Sequence, residues 1–129
     1  MSIVGIGQDL LELERVRRAV ERHGSRFLER CFTPGEIEYC LRFKDPVPEL
    51  AVRFAAKEAA SKALGTGIAQ GVAWRHIEVL RRPWSAPTLQ FHGPALARAC
   101  RLGVGKTHVT LTHAQRICSA VVILEQTRS

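Results

Sequence analysis

The chain has 129 residues, which fits one compact domain, residues 1–129, and leaves little room for a second. Hydrophobic residues make up 46% of the sequence, which excludes an intrinsically disordered chain. The formal net charge is +7, and most of the 19 basic residues are arginines. This charge predicts either a basic surface that only keeps the protein soluble or an anionic partner. The anionic partners that fit are nucleic acid, a membrane surface, a phosphorylated ligand and an acidic protein.

The N-terminal segment predicts a short buried strand over residues 3–6 that ends near the polar pair Gln8 and Asp9. From Leu10 onward the apolar residues recur at helical spacing, which predicts a first helix that ends near Gly24. Asp9 therefore fits two positions, the N-cap of this helix or the polar end of a strand.

A row of arginines follows one face of the first helix and continues into a short second helical segment. The row faces away from the apolar stripe and consists of Arg15, Arg18, Arg22 and Arg26. Such a row suits phosphates or the carboxylates of an acidic helix. A solvated helix face, partly compensated by glutamates, explains the same spacing equally well.

The middle of the chain predicts the strongest helix. Residues 33–36 have the pattern of a capping box at the start of a short helix. A proline-containing loop over residues 44–48 then leads into a long helix over residues 48–64, rich in Ala, Glu and Lys. Gly65 and Gly67 close this helix, either as a plain C-cap or as a turn whose N–H groups approach a phosphate.

One face of the long helix combines an aromatic ring, a carboxylate, a hydroxyl and an ammonium group, from Phe54, Glu58, Ser61 and Lys62. Arg53 and Lys57 are expected to form an adjacent basic edge. The set suits a nucleotide phosphate held through a metal ion, with the carboxylate on the metal and the ammonium on phosphate oxygens. An exposed Glu58–Lys62 salt bridge explains the spacing without any function.

The C-terminal half predicts four strands and one short helix. The strands are expected over residues 76–81, 88–92, 107–112 and 117–124, and the helix over residues 94–102. The prediction is an α+β fold, a mostly antiparallel sheet packed against one long helix and shorter helices. No apolar run approaches the roughly 20 residues that cross a bilayer, so we expect no membrane partner.

The four cysteines form neither a CxxC pair nor zinc-finger spacing with a histidine. Together with the lack of a secretory leader pattern, this predicts reduced thiols in a cytoplasmic protein. Aromatic residues make up only 6% and form no stacking platform among the arginines, so nucleic acid is not the expected partner.

Two sequence blocks narrow these alternatives. The first reads Ile-Gly-Gln-Asp-Leu-Leu from Ile6, with Glu12 and Arg15 following, and the second runs from Arg53 to Ile68. Together they resemble the holo-[acyl-carrier-protein] synthases, the short bacterial 4'-phosphopantetheinyl transferases, and the second block matches that family almost throughout. The His-Val-Thr-Leu-Thr-His strand over residues 108–113 is also similar to the family, so the resemblance covers essentially the whole chain.

The resemblance implies a homotrimer with active sites at the subunit boundaries. Asp9 and Glu58 would bind Mg²⁺, or Mn²⁺ in its place, together with the pyrophosphate of coenzyme A. Lys62 would contact phosphate and stabilise charge as the phosphoanhydride breaks. Further coenzyme A contacts are implied for Arg53, Phe54, Ser61, Gly65, Pro87 and His108. Without the resemblance, His108 is better explained as a structural histidine of its strand.

The implied partner is an acidic acyl carrier protein, which would dock on Arg15, Arg18, Arg22, Arg26 and Phe27. Its serine hydroxyl would attack the β-phosphorus of coenzyme A, and adenosine 3',5'-bisphosphate would leave. Glu58 is the candidate base, directly or through a metal-bound water.

One segment departs from the family pattern. Members carry a Gly-Lys-Pro turn before the strand over residues 88–92, whereas this chain has Ser85, Ala86 and Pro87. A contact from the missing lysine would have to come from Arg81 or Arg82. The rival interpretations are a basic binding module without chemistry and a metal-dependent phosphohydrolase, which would need more metal-binding carboxylates.

Overall fold

The computed structural model describes residues 1–127. Within this range, five strands form two antiparallel sheets, one of three strands in the order β1-β5-β4 and one of two strands, β2 and β3. The strands are β1 Ser2–Glu12, β2 Ile77–Leu80, β3 Thr88–Phe91, β4 Val104–His113 and β5 Ile117–Gln126. The helices are α1 Leu13–His23, α2 Ser25–Cys31, α3 Pro34–Cys40, α4 Val47–Ala63 and α5 Gly93–Leu102, and a 3-10 turn, Trp74–His76, precedes β2.

The first strand and first helix differ from the prediction. β1 is a long strand that contains Asp9, and α1 begins only at Leu13. The reason is the pairing with β5, which continues in antiparallel register through Asp9 opposite Ala120 and keeps this segment extended. Leu10 therefore belongs to the strand and is 66% exposed, and Asp9 does not cap a helix.

Helix α4 packs across the three-stranded sheet with almost no space between the two backbones. A Cβ atom on Gly7 would lie 1.7 Å from the carbonyl oxygen of Ala59, and one on Gly5 would lie 2.0 Å from that of Ala63. Small residues on both sides permit this approach, because α4 presents buried alanines at these crossings. The close packing fixes the position of Asp9, two residues beyond Gly7, relative to the helix.

The basic edge predicted for α4 is wrong, since Arg53 is 2% and Lys57 0% exposed. Arg53 pairs with Glu49 at 3.2 Å, and its guanidinium carbon lies 4.6 Å from the ring centre of Tyr39. Lys57 extends into the core because the Glu36 carboxylate lies there to pair with it at 2.6 Å. The capping box at Thr33 and Glu36 is confirmed. No described helix is both long enough and apolar enough to cross a bilayer.

Candidate active site

A cleft of about 470 Å³ opens between β1, the helices α1, α2 and α4, and the 3-10 turn. It brings together side chains that are far apart in the sequence. Its polar and aromatic lining comes from Asp9, Arg15, Phe27, Phe54, Glu58, Lys62 and Trp74. The three residues predicted to be catalytic, Asp9, Glu58 and Lys62, therefore share one cavity.

Asp9 and Lys62 form an ion pair at the mouth of the cleft. The Nζ atom of Lys62 lies 3.1 Å from Oδ1 of Asp9 and donates a second bond, 2.9 Å long, to the backbone oxygen of Gln8. The lysine side chain is 52% exposed and the aspartate 17%. An ammonium group has three donors, so Lys62 can also reach a bound anion.

Glu58 lies one helical turn before Lys62 on α4. Its Oε1 atom accepts a 3.0 Å hydrogen bond from the indole nitrogen of Trp74. The Trp74 ring stacks on Phe54, with 5.6 Å between ring centres, and Phe54 lies 6.1 Å from Phe27. An aromatic wall therefore adjoins the carboxylate on one side of the cleft.

The donor set of this cleft fits a hard divalent cation that also binds phosphate. Within residues 1–127, Oδ2 of Asp9 and Oε2 of Glu58 accept no hydrogen bond. The same described residues contain no cluster of three or more His, Cys, Asp or Glu side chains that could hold a metal. Two carboxylates leave most positions of an octahedral Mg²⁺ shell to phosphate oxygens and water, as is usual for this ion.

Several residues predicted to bind coenzyme A lie outside the cleft of the single chain. Ser61 is fully buried and donates its hydroxyl to the backbone oxygen of Glu58 at 2.7 Å. Gly65 follows the end of α4 with φ of +82°, and the N–H of Gly67 donates to the oxygen of Ser61 at 3.0 Å, so this turn caps the helix. Arg53 is buried against Tyr39 on another side of α4.

His108 lies on the face of the sheet that points away from α4. It is opposite Ile123 in β5, whose neighbours Val122 and Leu124 are buried beneath the helix. Its Nε2 atom makes a short hydrogen bond to Glu125. Pro87 lies just before β3 and also does not line the cleft. Within one chain, neither residue adjoins Asp9 and Glu58.

The residues predicted to dock the carrier protein divide into two groups. Arg15 and Phe27 line the cleft itself. Arg18, Arg22 and Arg26 are exposed and lead away from it along α1 and α2. Arg18 lies 3.7 Å from Glu14 in an exposed i, i+4 pair, which holds the arginine only weakly.

A buried network behind the cleft was not predicted. Glu36 accepts hydrogen bonds from the backbone N–H groups of Thr33 and Val79 in addition to the ammonium of Lys57. Lys57 also donates to the carbonyl oxygens of Trp74 and Ile77, at 3.1 and 2.5 Å. Burial lowers the pKa of Lys57, and the charge of Glu36 opposes this shift.

Comparisons with known proteins agree on one family. Residues 5–121 match the model of the 4'-phosphopantetheinyl transferase superfamily. The holo-[acyl-carrier-protein] synthase of Maridesulfovibrio salexigens is 48% identical over 124 residues, 96% of this chain and 99% of that protein. The crystal structure of the Neisseria meningitidis synthase superposes with a TM-score of 0.87 at 34% identity, covering 97% of this chain and 100% of the other. The Helicobacter pylori synthase in complex with coenzyme A superposes with a TM-score of 0.82 at 30% identity, covering 93% and 99%.

Proposed function

Since the chain belongs to the holo-[acyl-carrier-protein] synthases of the 4'-phosphopantetheinyl transferase superfamily, we propose that it uses Mg²⁺ to transfer the 4'-phosphopantetheine moiety of coenzyme A to a serine of apo acyl carrier protein. The observation that carries this proposal is the convergence of Asp9, Glu58 and Lys62 on one cleft. Adenosine 3',5'-bisphosphate is the second product.

The substrate assignment follows from the charges around the cleft. The pyrophosphate of coenzyme A would lie between the two carboxylates and Lys62, with Mg²⁺ making the carboxylates compatible with the anion. A relative from Helicobacter pylori has been crystallised in complex with coenzyme A, which supports this choice of donor substrate. The exposed arginines of α1 and α2 would face the acidic surface of the carrier protein.

In the proposed reaction, the serine oxygen of the carrier protein forms a bond to the β-phosphorus, and the bond from that phosphorus to the bridging oxygen breaks. When bound, Mg²⁺ neutralises charge on the pyrophosphate and supplies Lewis-acid activation of the phosphorus. Lys62 stabilises the negative charge that the leaving bisphosphate develops. Asp9 orients Lys62 through their 3.1 Å contact.

Glu58 is the proposed acceptor of the serine proton, directly or through a water molecule. Its Oε2 atom accepts no hydrogen bond from residues 1–127 and is therefore available. Glu58→Gln should lower turnover by about 100-fold or more, since general base catalysis typically contributes that much. Near-normal turnover in this variant, with metal still bound, would contradict the base role.

The assembly proposed with this function is a homotrimer in the cytoplasm. Three large apolar side chains, Ile3, Ile6 and Leu10, are each more than half exposed on the face of the sheet that points away from α4. His108 shares this face, so packing between copies would bring it toward another subunit's cleft. Sedimentation velocity tests the assembly, because a purely monomeric chain would contradict it.

The transfer itself is tested by mass spectrometry. The chain is incubated with coenzyme A, Mg²⁺ and apo acyl carrier protein, and the carrier should gain the mass of one phosphopantetheine. A carrier whose acceptor serine is replaced by alanine is the matched control and should gain nothing. Absence of transfer to several carriers with Mg²⁺ and with Mn²⁺ would contradict the proposal, and steeply salt-dependent binding of DNA or RNA would favour a binding module.

A further inference from the structure

Trp74 reaches the cleft from the 3-10 turn that precedes β2. The 3.0 Å hydrogen bond from its indole nitrogen occupies one oxygen of the Glu58 carboxylate. A glutamate carboxylate otherwise rotates broadly about its terminal torsion, so this bond restricts which oxygen is available to another ligand. The indole N–H is an uncharged donor.

The indole ring is held on its faces as well as at its nitrogen. Phe54, one helical turn before Glu58, stacks on it with ring planes 28° apart. The guanidinium of Arg30 lies 5.9 Å from the indole centre. These contacts fix the direction of the N–H group relative to the helix that carries Glu58.

The backbone of Trp74 is anchored to the same helix. The carbonyl oxygen of Trp74 accepts a 3.1 Å hydrogen bond from Lys57, the residue before Glu58. Lys57 is itself fixed by Glu36 in the core. Two consecutive residues of α4 thus hold Trp74, one through its main chain and one through its side chain.

We propose that Trp74 is a positioning residue for the transfer reaction, whose indole N–H fixes the Glu58 carboxylate with one oxygen left for the divalent cation or the serine proton. The inference rests on the function proposed above. It adds a residue that touches neither of the reacting groups and acts through Glu58.

The chain contains two tryptophans, which supplies a matched pair of variants. Trp74→Phe removes the N–H group and keeps an aromatic ring beside Phe54. Trp84→Phe changes a fully exposed side chain in the loop between β2 and β3. Trp74→Phe should raise the Mg²⁺ concentration for half-maximal transfer about tenfold, the usual size of a lost hydrogen bond to a charged group. Its KM for coenzyme A should change little. Its melting temperature should fall by only a few degrees, because the folded state loses the same hydrogen bond, and Trp84→Phe should behave as the wild type.

A second measurement does not depend on the Trp74→Phe variant. In Trp84→Phe the only tryptophan is Trp74, so its fluorescence reports binding beside Glu58. Titration with Mn²⁺, a paramagnetic quencher, should reduce this fluorescence, and the additional change Glu58→Gln should weaken the quenching about tenfold or more.

Two results would overturn the role of Trp74 without contradicting the transfer activity. One is a Trp74→Phe variant that needs no more Mg²⁺ than the wild type, and the other is a Trp84→Phe variant whose tryptophan fluorescence does not change when Mn²⁺ is added. Failure of the wild-type chain to transfer phosphopantetheine would instead overturn the function on which the inference rests.

Discussion

Helix α4 carries two lysine–carboxylate pairs in opposite surroundings. Lys57 and Glu36 are 0% and 1% exposed, whereas Lys62 and Asp9 are 52% and 17% exposed. Among residues 1–127, Lys57 donates to three acceptors, while Lys62 donates to two, Asp9 and Gln8. A lysine–carboxylate pair therefore fixes neighbouring elements where water is excluded, and it leaves a lysine donor available for binding where the helix faces the cleft.

The buried pair gives the largest expected effect. Lys57→Met should reduce the free energy of unfolding by about 3–5 kcal/mol, because it leaves the Glu36 carboxylate buried without its counter-charge. Two carbonyl oxygens, of Trp74 and Ile77, lose their donor in the same variant. Urea unfolding followed by circular dichroism measures the change.

Lys62→Met is the matched control at the open pair. Its stability should remain within about 1 kcal/mol of the wild type, since the ion pair it breaks is largely solvated. Its turnover should fall about 100-fold or more, because it removes the charge that is proposed to stabilise the phosphates. Equal stability losses in the two methionine variants would contradict the contrast between the pairs.

The second prediction concerns the contact that places Asp9 beside the helix. Gly7→Ala should lower the free energy of unfolding by about 3 kcal/mol, because its Cβ would overlap the backbone oxygen of Ala59 and the strand would have to move. The same movement should reduce turnover. Urea unfolding and the transfer assay measure the two effects.

Gly35→Ala is the control for that change. Its Cβ would meet no atom closer than the 3.5 Å contact with Glu78, and alanine suits helix α3 better than glycine does. Its free energy of unfolding should equal that of the wild type or exceed it by less than about 1 kcal/mol. A Gly7→Ala variant as stable as Gly35→Ala would show that β1 can move off α4 without loss.

The side of α4 that faces the cleft, with Glu58 and Lys62, was largely predictable from the sequence. The family resemblance, confirmed by the comparisons, rests on blocks that contain Asp9, Glu58 and Lys62, and helical spacing correctly places Glu58 and Lys62 on one face. The α+β class and the antiparallel strand pairing are also confirmed, although the strands form two sheets and not the single sheet that was predicted. The roles of the individual residues stay predictions.

The opposite side of α4, which holds Lys57 in the core, was not predictable, because its burial depends on contacts between residues far apart in the sequence. The burial of Lys57 depends on Glu36, which belongs to another helix, and helical spacing alone made Lys57 look like a surface residue. The length of β1 depends on β5 at the other end of the chain. Trp74 follows α4 in a segment without periodicity and was not predicted. Its aromatic type is the signal that could have identified it.

The third and smallest prediction concerns thiols on the buried side. Burial raises the pKa of Cys31, Cys40 and Cys118 from 9.0 to about 11, because a thiolate is poorly solvated there. Between pH 9 and 11 the unfolded chain therefore loses these protons while the folded chain retains them. Unfolding becomes more favourable as the pH rises through this window, so stability should fall.

Cys40→Ala isolates one of these thiols. Cys40 is fully buried on α3, so the alanine variant should be less stable than the wild type at every pH because of the cavity it creates. Between pH 8 and pH 10, however, its free energy of unfolding should fall by about 1 kcal/mol less than that of the wild type. Cys100 is exposed, and Cys100→Ala should leave the pH dependence unchanged. Urea unfolding at the two pH values measures both. An identical pH dependence of stability in all three proteins would mean that water reaches Cys40. It would also contradict the exclusion of water from the side of α4 that holds the buried Lys57–Glu36 pair.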